Sequence, residues 1–273
     1  NHGISEDAID KVAKENFSLL MTCDCGSSSH KEIEKLIASG VRVIVTDHHH
    51  VGEPLPKGSL LVNPQLKSNN VSAEELSGVG VVFFTLMGLR KTLREKNYFS
   101  QHSEPNLRSF LDIVALGTIA DLAPLTGMNR TLVSQGLMVM KDTPQIGIGA
   151  LKNVGGLSQD QPISSEDVGF VIAPRINAAA RLGHADQAFE LLVCQDPVKA
   201  LELAQKLSSH NQTRKKKQQA MFEVALPEIK RQLTQGYEVL VVASEEYHPG
   251  IIGLLSQKIC QEFQKPTISF CIE

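Results

Sequence analysis

The chain has 273 residues, of which 42% are hydrophobic and 21% charged, and its formal net charge is -3. This composition is typical of a globular protein long enough for more than one domain, and it excludes a globally basic nucleic-acid binder. Its five cysteines contain no C-x-x-C pair and no apolar run approaches a membrane span, so we expect a cytoplasmic protein without disulfides, a zinc ribbon or a membrane anchor.

The N-terminal residues predict a helix followed by a β-α-β unit. Ser5 can cap a helix from Glu6 to Lys14, and the apolar run Phe17–Cys23 is typical of a strand. Glycine and serines then turn the chain into a helix over residues 31–39, and the β-branched run 41–46 predicts a second, buried strand. Two strands joined through a helix are expected to pair in parallel, with a right-handed crossover.

Polar residues follow these two strands at the points where the strands end. Asp24 comes directly after the first strand, and Asp47 follows the second, with His48, His49 and His50 next in the chain. The carboxyl ends of parallel strands meet at one edge of a sheet, where ligands bind in open α/β folds. We therefore expect both acids to lie in one crevice. A polar loop with accidental histidines is disfavoured, because four consecutive side chains here can bind a metal.

The middle of the chain predicts a short strand, a long helix and a further apolar segment. Residues 60–64 form a strand closed by proline, and residues 77–94 form an apolar helix that turns basic. The Gly-x-Gly at 78–80 favours close helix packing over a phosphate loop, because no strand directly precedes it. The apolar segment Leu111–Asp121 ends in a carboxylate, whereas Asp112 is expected to be a surface or capping acid.

The C-terminal half predicts several helices and then a new α/β region. We expect a helix over 132–140, two turns in the glycine-rich stretch Gly147–Gly156, a helix over 186–193, a long helix from Pro197 to about Gln235, and strands at 238–243 and 267–272. The long helix contains the basic run Arg214–Lys217, for which a solvated helix face is favoured over direct nucleic-acid contact. The new strand at 238 predicts a second domain.

The acids and histidines at the strand ends allow metal chemistry. Asp24, His48 and Asp121, with Asp47 behind them, form a mixed set of carboxylate and imidazole ligands, which favours Mn²⁺ or Mg²⁺ over structural zinc. The two cysteines that flank Asp24 leave zinc open, but on a strand they point away from the face that Asp24 uses. Two metals about 4 Å apart can activate water and stabilise a phosphoryl displacement, but three ligands leave a two-metal site incomplete.

Six stretches in chain order resemble the motifs of one enzyme family. They are Thr22–Gly26, Thr46–His49, Leu76–Gly80, Ala115–Asp121, Ala173–Ala179 and His248–Gly253. On these residues the chain resembles the DHH phosphoesterases, and within them the bacterial exonucleases that degrade single-stranded DNA from 5′ to 3′. The Asp-His-His triplet alone is a weak signal, whereas six ordered stretches are specific, and the resemblance covers nearly the whole chain.

The resemblance implies a role for each residue at the strand ends. Asp24 would be a metal ligand that can bridge two ions, and His48 and Asp121 would be ligands of one ion. Asp47 would lie behind the ligands and orient His48, in the usual carboxylate–histidine arrangement. His49 would face the scissile phosphate. The resemblance also implies Mn²⁺ or Mg²⁺ at a two-metal site, with the second site incomplete because the family's first motif is absent.

The resemblance assigns the DNA contacts to the C-terminal half. Arg175, Asn177 and Arg181 lie among small residues that allow close approach of a phosphate backbone, and these side chains would hold DNA phosphates. His248 and the glycines after it, Gly250 among them, would line the substrate path. These five are the expected substrate-binding residues.

The resemblance also implies a domain order and a biological role. We expect an N-terminally truncated DHH domain with a parallel sheet over 1–194, a long connecting helix over 195–236, and the start of a second α/β domain, DHHA1, over 237–273. The implied activity is metal-dependent hydrolysis of single-stranded DNA in DNA repair and recombination, with a single-strand-binding protein and a helicase as partners.

Two alternatives stay open at the level of sequence. One is a DHH phosphodiesterase for small substrates such as short oligonucleotides or cyclic dinucleotides, against which His248-Pro249-Gly250 argues, because those enzymes carry a glycine-rich element there. The other is a non-catalytic relative that binds DNA as a scaffold. The intact ligand positions argue against the scaffold, because such relatives tend to lose metal ligands.

Overall fold

The computed structural model describes residues 3–15, 17–52, 55–66, 73–158 and 160–272. The chain divides into two compact units. The first falls within Asn1–Pro144 and Gln159–Gly169, and the second falls within Gln145–Ser158 and Phe170–Glu273. The family domain bounds expected at residues 194 and 236 stay a prediction.

Helices and short strands alternate along the chain, and the expected α/β class is confirmed. In chain order the elements are α1 (Glu6–Lys14), β1 (Leu19–Cys23), α2 (His30–Ala38), β2 (Arg42–Thr46), β3 (Leu60–Val62), α3 (Gly78–Glu95), α4 (Leu111–Ala120), α5 (Gly127–Lys141), α6 (Ile146–Gly155), α7 (Ser165–Asp167), α8 (Ala173–Arg181), α9 (Ala185–Val193), α10 (Pro197–Thr234), β4 (Leu240–Ser244), α11 (Ile252–Phe263) and β5 (Thr267–Cys271). Short 3-10 helices, Tyr98–Ser100 and Leu107–Phe110, precede α4, and a π-helical segment, Val168–Ile172, joins α7 to α8.

The first unit contains a three-stranded parallel sheet in the order β1-β2-β3. The register pairs Cys23 with Thr46 and Thr46 with Val62, so the three strands end at the same edge. Beyond the strands, the Asp24 N–H donates to the Thr46 carbonyl at 2.9 Å, and the Asp47 N–H donates to the Val62 carbonyl at 3.1 Å. These bonds extend the strand pairing by one residue and fix the backbone from which both acids project. The predicted parallel β-α-β unit is confirmed.

The central strand β2 is buried because helices pack against it. Val43 and Val45 share a core with Ile33 and Leu36 of α2 and with Val12 of α1. This burial explains why the strand reads as a nearly continuous apolar run. The core therefore holds β2 rigidly just before the acid and the histidines that follow it.

Helices α3, α4 and α5 form a second core in the first unit, and Asp112 is buried on the first turn of α4. The Asp112 side chain is fully buried, and its carboxylate accepts hydrogen bonds from the Ile113 N–H at 2.8 Å and from the Thr143 hydroxyl. Burial raises the pKa of Asp112, although these hydrogen bonds oppose the shift. Of the expected surface or capping acid, the surface position is wrong because α4 is apolar around nearly its whole circumference, so its first turn is buried as well. Asp112 does bind a backbone N–H of that first turn, the one of Ile113.

The second unit is built around α10, a helix of 38 residues that begins at Pro197 and contains Pro227. The predicted long helix is confirmed. Its core includes Phe222 and Ile229, which pack with Leu240 of the two-stranded parallel sheet formed by β4 and β5. Among the described residues, no helix combines the length and the apolar character that crossing a bilayer requires.

The glycine-rich stretch Gly147–Gly156 is a helix rather than the two turns expected. It forms α6 together with Ile146, and Gly156 ends the helix in the left-handed conformation with φ 74°. A Cβ on Gly147 would lie 2.1 Å from the Leu191 carbonyl oxygen. The glycine therefore allows α6 to pack closely against α9, which the sequence alone does not distinguish from a turn.

Candidate metal centre

Asp24 and Asp47 stand at the carboxyl ends of neighbouring parallel strands, as predicted. Asp24 has a φ of 64°, a left-handed conformation that is uncommon for a residue other than glycine. Its backbone N–H is held by the Thr46 carbonyl, so the strained residue is fixed by the sheet. Strain of this kind is typical of functional sites, where the surrounding structure stabilises it.

The imidazole of His48 points one nitrogen at two carboxylates. Its Nδ1 lies 3.1 Å from the Leu76 carbonyl oxygen, which orients the ring. Its Nε2 lies 3.0 Å from Oδ1 of Asp24 and 3.5 Å from Oδ2 of Asp121. Nε2 is buried, and among the described residues it has no partner with proper hydrogen-bond geometry. A buried ring nitrogen beside two carboxylates is the donor set that a divalent cation would complete.

Asp121 reaches this point because of the packing between α3 and α4. It caps the C-terminus of α4, with its N–H donating to the Gly117 carbonyl at 3.0 Å. A Cβ on Gly117 would lie 2.8 Å from Cγ1 of Val79 in α3. The buried hydroxyls of Ser77 and Thr118 also lie 2.8 Å apart, joining the same two helices. The two contacts fix the end of α4, and with it the carboxylate.

Asp47 holds His49, not the ring of His48 as the resemblance implied. Oδ1 of Asp47 lies 2.7 Å from Nδ1 of His49 and accepts from the His48 N–H at 2.8 Å. Its Oδ2 accepts from the Ser27 N–H at 2.9 Å. Nδ1 of His48 instead contacts the Leu76 carbonyl. The rings of His48 and His49 lie at 61° to each other, so they reach different partners.

The electrostatic environment shifts the pKa values of Asp47 and Asp121 in opposite directions. Burial alone would raise the pKa of Asp47, but hydrogen bonds from His49 and Ser27 outweigh it and lower that pKa. The pKa of Asp121 is raised, mainly by burial, with the charge of His48 opposing the shift. The pKa of His48 is raised by its interaction with Asp24 and by the nearby acids, against the effect of burial. Because a cation binds the unprotonated Nε2, protonation of His48 and cation binding oppose each other.

The cysteines beside Asp24 do not join the ligand group. Among the described residues, the cluster with ligand atoms within 4.8 Å of one another contains Asp24, His48 and His49. Burial raises the pKa of the Cys25 thiol, and the charges of nearby acids raise it further. A thiol held in its neutral form is a poor ligand, because metals bind the thiolate. The structure does not place Asp121 in this cluster, although its Oδ2 lies 3.5 Å from Nε2 of His48.

Two positioning residues were not expected from the sequence, Gly78 and Asn63. A Cβ on Gly78 would lie 2.2 Å from Oδ1 of Asp24, so only glycine fits at the start of α3. The buried Asn63, just after β3, donates to Oγ of Ser27 at 2.9 Å and to the His49 carbonyl at 3.0 Å. The Gly-x-Gly motif was a signal for close packing, but the sequence did not indicate that a carboxylate would be the neighbour.

The expected substrate-binding residues lie in the second unit, where three of them contact one another. Nη1 of Arg181 donates to the Gly250 carbonyl at 3.3 Å, and the Gly250 N–H donates to Nδ1 of His248 at 3.1 Å. A Cβ on Gly250 would lie 2.2 Å from the Arg181 carbonyl oxygen, so this glycine allows the loop to approach α8. Asn177 is exposed one turn before Arg181. Arg175 donates to the Val171 carbonyl at 2.5 Å, and burial lowers its pKa.

The chain is similar in sequence to known proteins over nearly its whole length. Residues 3–118 match the model of the DHH family, N-terminal domain. The chain is 38% identical over 276 residues to the single-stranded-DNA-specific exonuclease RecJ of Dickeya dadantii and 37% identical to that of Escherichia coli. Both alignments cover 98% of this chain and 48% of the relative. The chain thus spans about half the length of the curated relatives it matches.

Solved structures are similar over the same extent. A crystal structure of exonuclease RecJ bound to manganese has a TM-score of 0.83 and 33% identity, covering 98% of this chain and 64% of that chain. The RecJ structure from Thermus thermophilus in complex with Mn²⁺ has the same TM-score and identity, covering 96% of this chain and 37% of that chain. The similarity extends through both units, because nearly all of this chain is aligned.

Proposed function

We propose that this chain, whose residues 3–118 form a DHH family N-terminal domain, belongs to a metal-dependent exonuclease that hydrolyses single-stranded DNA from the 5′ end. The observation that carries the proposal is the buried Nε2 of His48, directed at the carboxylates of Asp24 and Asp121. The relatives that share 37–38% identity over 98% of the chain are named single-stranded-DNA-specific exonucleases.

The donor set suits Mn²⁺ or Mg²⁺. Asp24, His48 and Asp121 would hold the cation, with two carboxylates supplying negative charge and His48 supplying one nitrogen. When bound, the cation would polarise the phosphodiester and lower the pKa of a water molecule. The Leu76 carbonyl keeps the His48 ring in the tautomer that leaves Nε2 free for a ligand bond.

The pair of Asp47 and His49 would act on the substrate itself. The buried carboxylate of Asp47 accepts a hydrogen bond from the Nδ1–H of His49, and the His49 side chain is 61% exposed. This arrangement leaves Nε2 of His49 on the accessible side, where it can hold or transfer a proton at a phosphate oxygen. Asp47 is thus a positioning residue, and His49 is the group that would contact the scissile phosphate.

The second unit would hold the DNA. The guanidinium groups of Arg175 and Arg181 and the amide of Asn177 would bind phosphates, with His248 and Gly250 beside Arg181. The proposal extends to the domain division at residues 194 and 236, to a role in DNA repair and recombination in the cytoplasm, and to a single-strand-binding protein and a helicase as partners.

The test compares two neighbouring histidines in the full-length protein. His48→Ala removes a proposed ligand, whereas His50→Ala changes an exposed residue two positions later. With 5′-labelled single-stranded DNA and Mn²⁺, we expect His48→Ala to lose hydrolysis by orders of magnitude and His50→Ala to keep it. Near-normal turnover by His48→Ala after chelation and Mn²⁺ restoration would contradict the ligand assignment. Equal cleavage of a cyclic dinucleotide would favour the small-substrate alternative.

A further inference from the structure

The basic run Arg214–Lys217 of α10 is not uniform in the structure. Lys215, Lys216 and Lys217 are exposed, as expected for a solvated helix face. Arg214 is instead partly buried in the second unit, and its Nε is buried without a hydrogen-bond partner among the described residues. The prediction of a solvated face therefore holds for the three lysines and fails for the arginine.

The guanidinium of Arg214 is fixed by two carboxamides on its own helix. Its Nη2 donates to Oδ1 of Asn211 at 3.0 Å, and its Nη1 donates to Oε1 of Gln218 at 3.2 Å. Asn211 is 5% exposed, and Gln218 also donates to the Leu254 carbonyl of α11 at 3.0 Å. Because an arginine carries five N–H donors, three remain after these two bonds. The group is preorganised but not saturated.

A second cation opposes Arg214. Burial lowers the pKa of Arg214, and the positive charge of Arg181 at the end of α8 lowers it further. Within the part of the chain that the structure describes, no carboxylate forms an ion pair with either arginine. A partly buried arginine with a structural role usually faces an acid, because an uncompensated charge is costly to desolvate. Gln218, which holds Arg214, donates to the Leu254 carbonyl, and Arg181 donates to the Gly250 carbonyl four residues earlier, so both guanidinium groups are attached to one segment. Two guanidinium groups attached to one segment without a paired acid are an arrangement that an anion stabilises.

We infer that Arg214 and Arg181 together form a phosphate-binding site in the second unit, which holds one phosphate of the single-stranded DNA backbone. The identity of this ligand rests on the proposed function. The guanidinium of Arg181 is hydrogen-bonded to Gly250, and that of Arg214 is hydrogen-bonded to two carboxamides of α10. Each guanidinium is therefore held in place by its own set of hydrogen bonds. A planar guanidinium matches phosphate oxygens in pairs, which a lysine cannot do.

The experiment measures equilibrium binding of a 5′-phosphorylated oligothymidylate by the full-length protein, with chelator present, over a series of salt concentrations. Arg214→Gln is compared with Lys216→Gln, an exposed cation of the same run. Loss of one phosphate contact on a single strand should make the logarithmic salt slope shallower by about 0.7. We expect Arg214→Gln to show this shallower salt slope and weaker DNA binding. We expect Lys216→Gln to keep the salt slope and the affinity of the wild type. Arg181→Gln combined with Arg214→Gln should lose less than the sum of the single variants, because both share one phosphate.

Several outcomes would overturn the inference. A salt slope in Arg214→Gln equal to that of the wild type would overturn it. An equal loss of DNA affinity in Lys216→Gln would also overturn it, because the whole basic face of α10 would then contribute alike. If the wild-type protein shows no salt-dependent binding, the proposed function fails, and with it the identity of the ligand.

Chemical unfolding separates a binding role from a structural one. Removing one of two opposed charges should leave Arg214→Gln at least as stable as the wild type. Lower stability with unchanged DNA binding would make Arg214 structural. Should Arg214→Gln fail to fold, Arg214→Lys decides the matter. Arg214→Lys keeps the positive charge, so we expect an unchanged salt dependence of DNA binding. We expect a lower affinity for the DNA because the planar guanidinium is lost. An affinity equal to that of the wild type would overturn the inference.

Discussion

The two compact units place their functional side chains by different means. In the first unit, Asp24 and Asp47 follow parallel strands, and hydrogen bonds to β2 and β3 fix their backbones. In the second unit, Arg181 and Arg214 extend from two helices and are fixed by side-chain and loop contacts. Strand ends converge because of topology alone, whereas helix surfaces converge only after packing. A sequence therefore reveals the first kind of site more readily than the second.

The units also differ in how their charges are compensated. The acids of the first unit lie beside histidines and backbone N–H groups, so their negative charge is partly neutralised within the protein. The arginines of the second unit oppose each other, with no ion pair to either among the described residues. The first unit holds the site proposed for a cation and the second the site proposed for an anion, as the proposed function requires.

The largest effect that tests this comparison is expected from Gly78→Ala. The new Cβ would lie 2.2 Å from Oδ1 of Asp24 and must displace that carboxylate. We expect Mn²⁺ affinity to fall by more than the about 10–100-fold typical of groups that only support a ligand. Gly88→Ala is the matched control, because Gly88 lies on the same helix with open space around it. Calorimetric titration of Mn²⁺ measures both variants, and similar affinities would show that the backbone does not fix Asp24.

A smaller effect is expected from Asp47→Asn, which tests the role of the buried acid. Because Asp47 holds the ring of His49, we expect turnover to fall by about 10–100-fold while the Mn²⁺ concentration for half-maximal activity stays near that of the wild type. The double variant with His49→Ala should lose little more than the worse single variant. A large rise in the Mn²⁺ requirement would instead support the role through His48 that the resemblance implied.

Much of the fold was predictable, because local rules and tertiary packing agree there. Ser5 caps α1 through the Ala8 N–H as expected, and the parallel pairing of β1 with β2 follows from the intervening helix. The positions of the proposed metal ligands Asp24 and His48 were predicted from strand ends, since residues that follow parallel strands meet at the carboxyl edge of the sheet. Asp121 was predicted from the end of an apolar segment, without knowledge that α4 is a helix.

The failures share one physical cause, which is packing against a partner distant in sequence. Gly147 is needed for contact with Leu191, and Gly78 is needed for contact with Asp24. In the sequence, Gly147 looks like an ordinary glycine of a turn, and Gly78 indicates close packing without showing that Asp24 is the neighbour. Arg214 belongs to a basic run whose other members are exposed. The hydrophobic periodicity of one segment does not predict which side chain of another segment will pack against it.

Asp112 is expected to affect stability alone, because it is buried in the first unit and has no part in the metal centre. Its pKa is raised above the ordinary value of 3.8, mainly by burial, so the folded state binds the proton more tightly than the unfolded state does. The free energy of unfolding should therefore fall as pH rises from about 3.8 through the folded-state pKa, and then level off.

Asp112→Asn has no proton to lose, so its stability relative to the wild type should increase over that pH range. We expect a gain of about 1–3 kcal/mol at neutral pH, the range for a buried polar group that is incompletely compensated. Urea unfolding of both proteins between pH 4 and pH 8 measures the difference, with Asp142→Asn at an exposed position as the control. A difference that does not change with pH would mean that the Asp112 carboxylate is fully stabilised by the Thr143 hydroxyl and the Ile113 N–H. Burial of the Asp112 carboxylate would then not lower the free energy of unfolding.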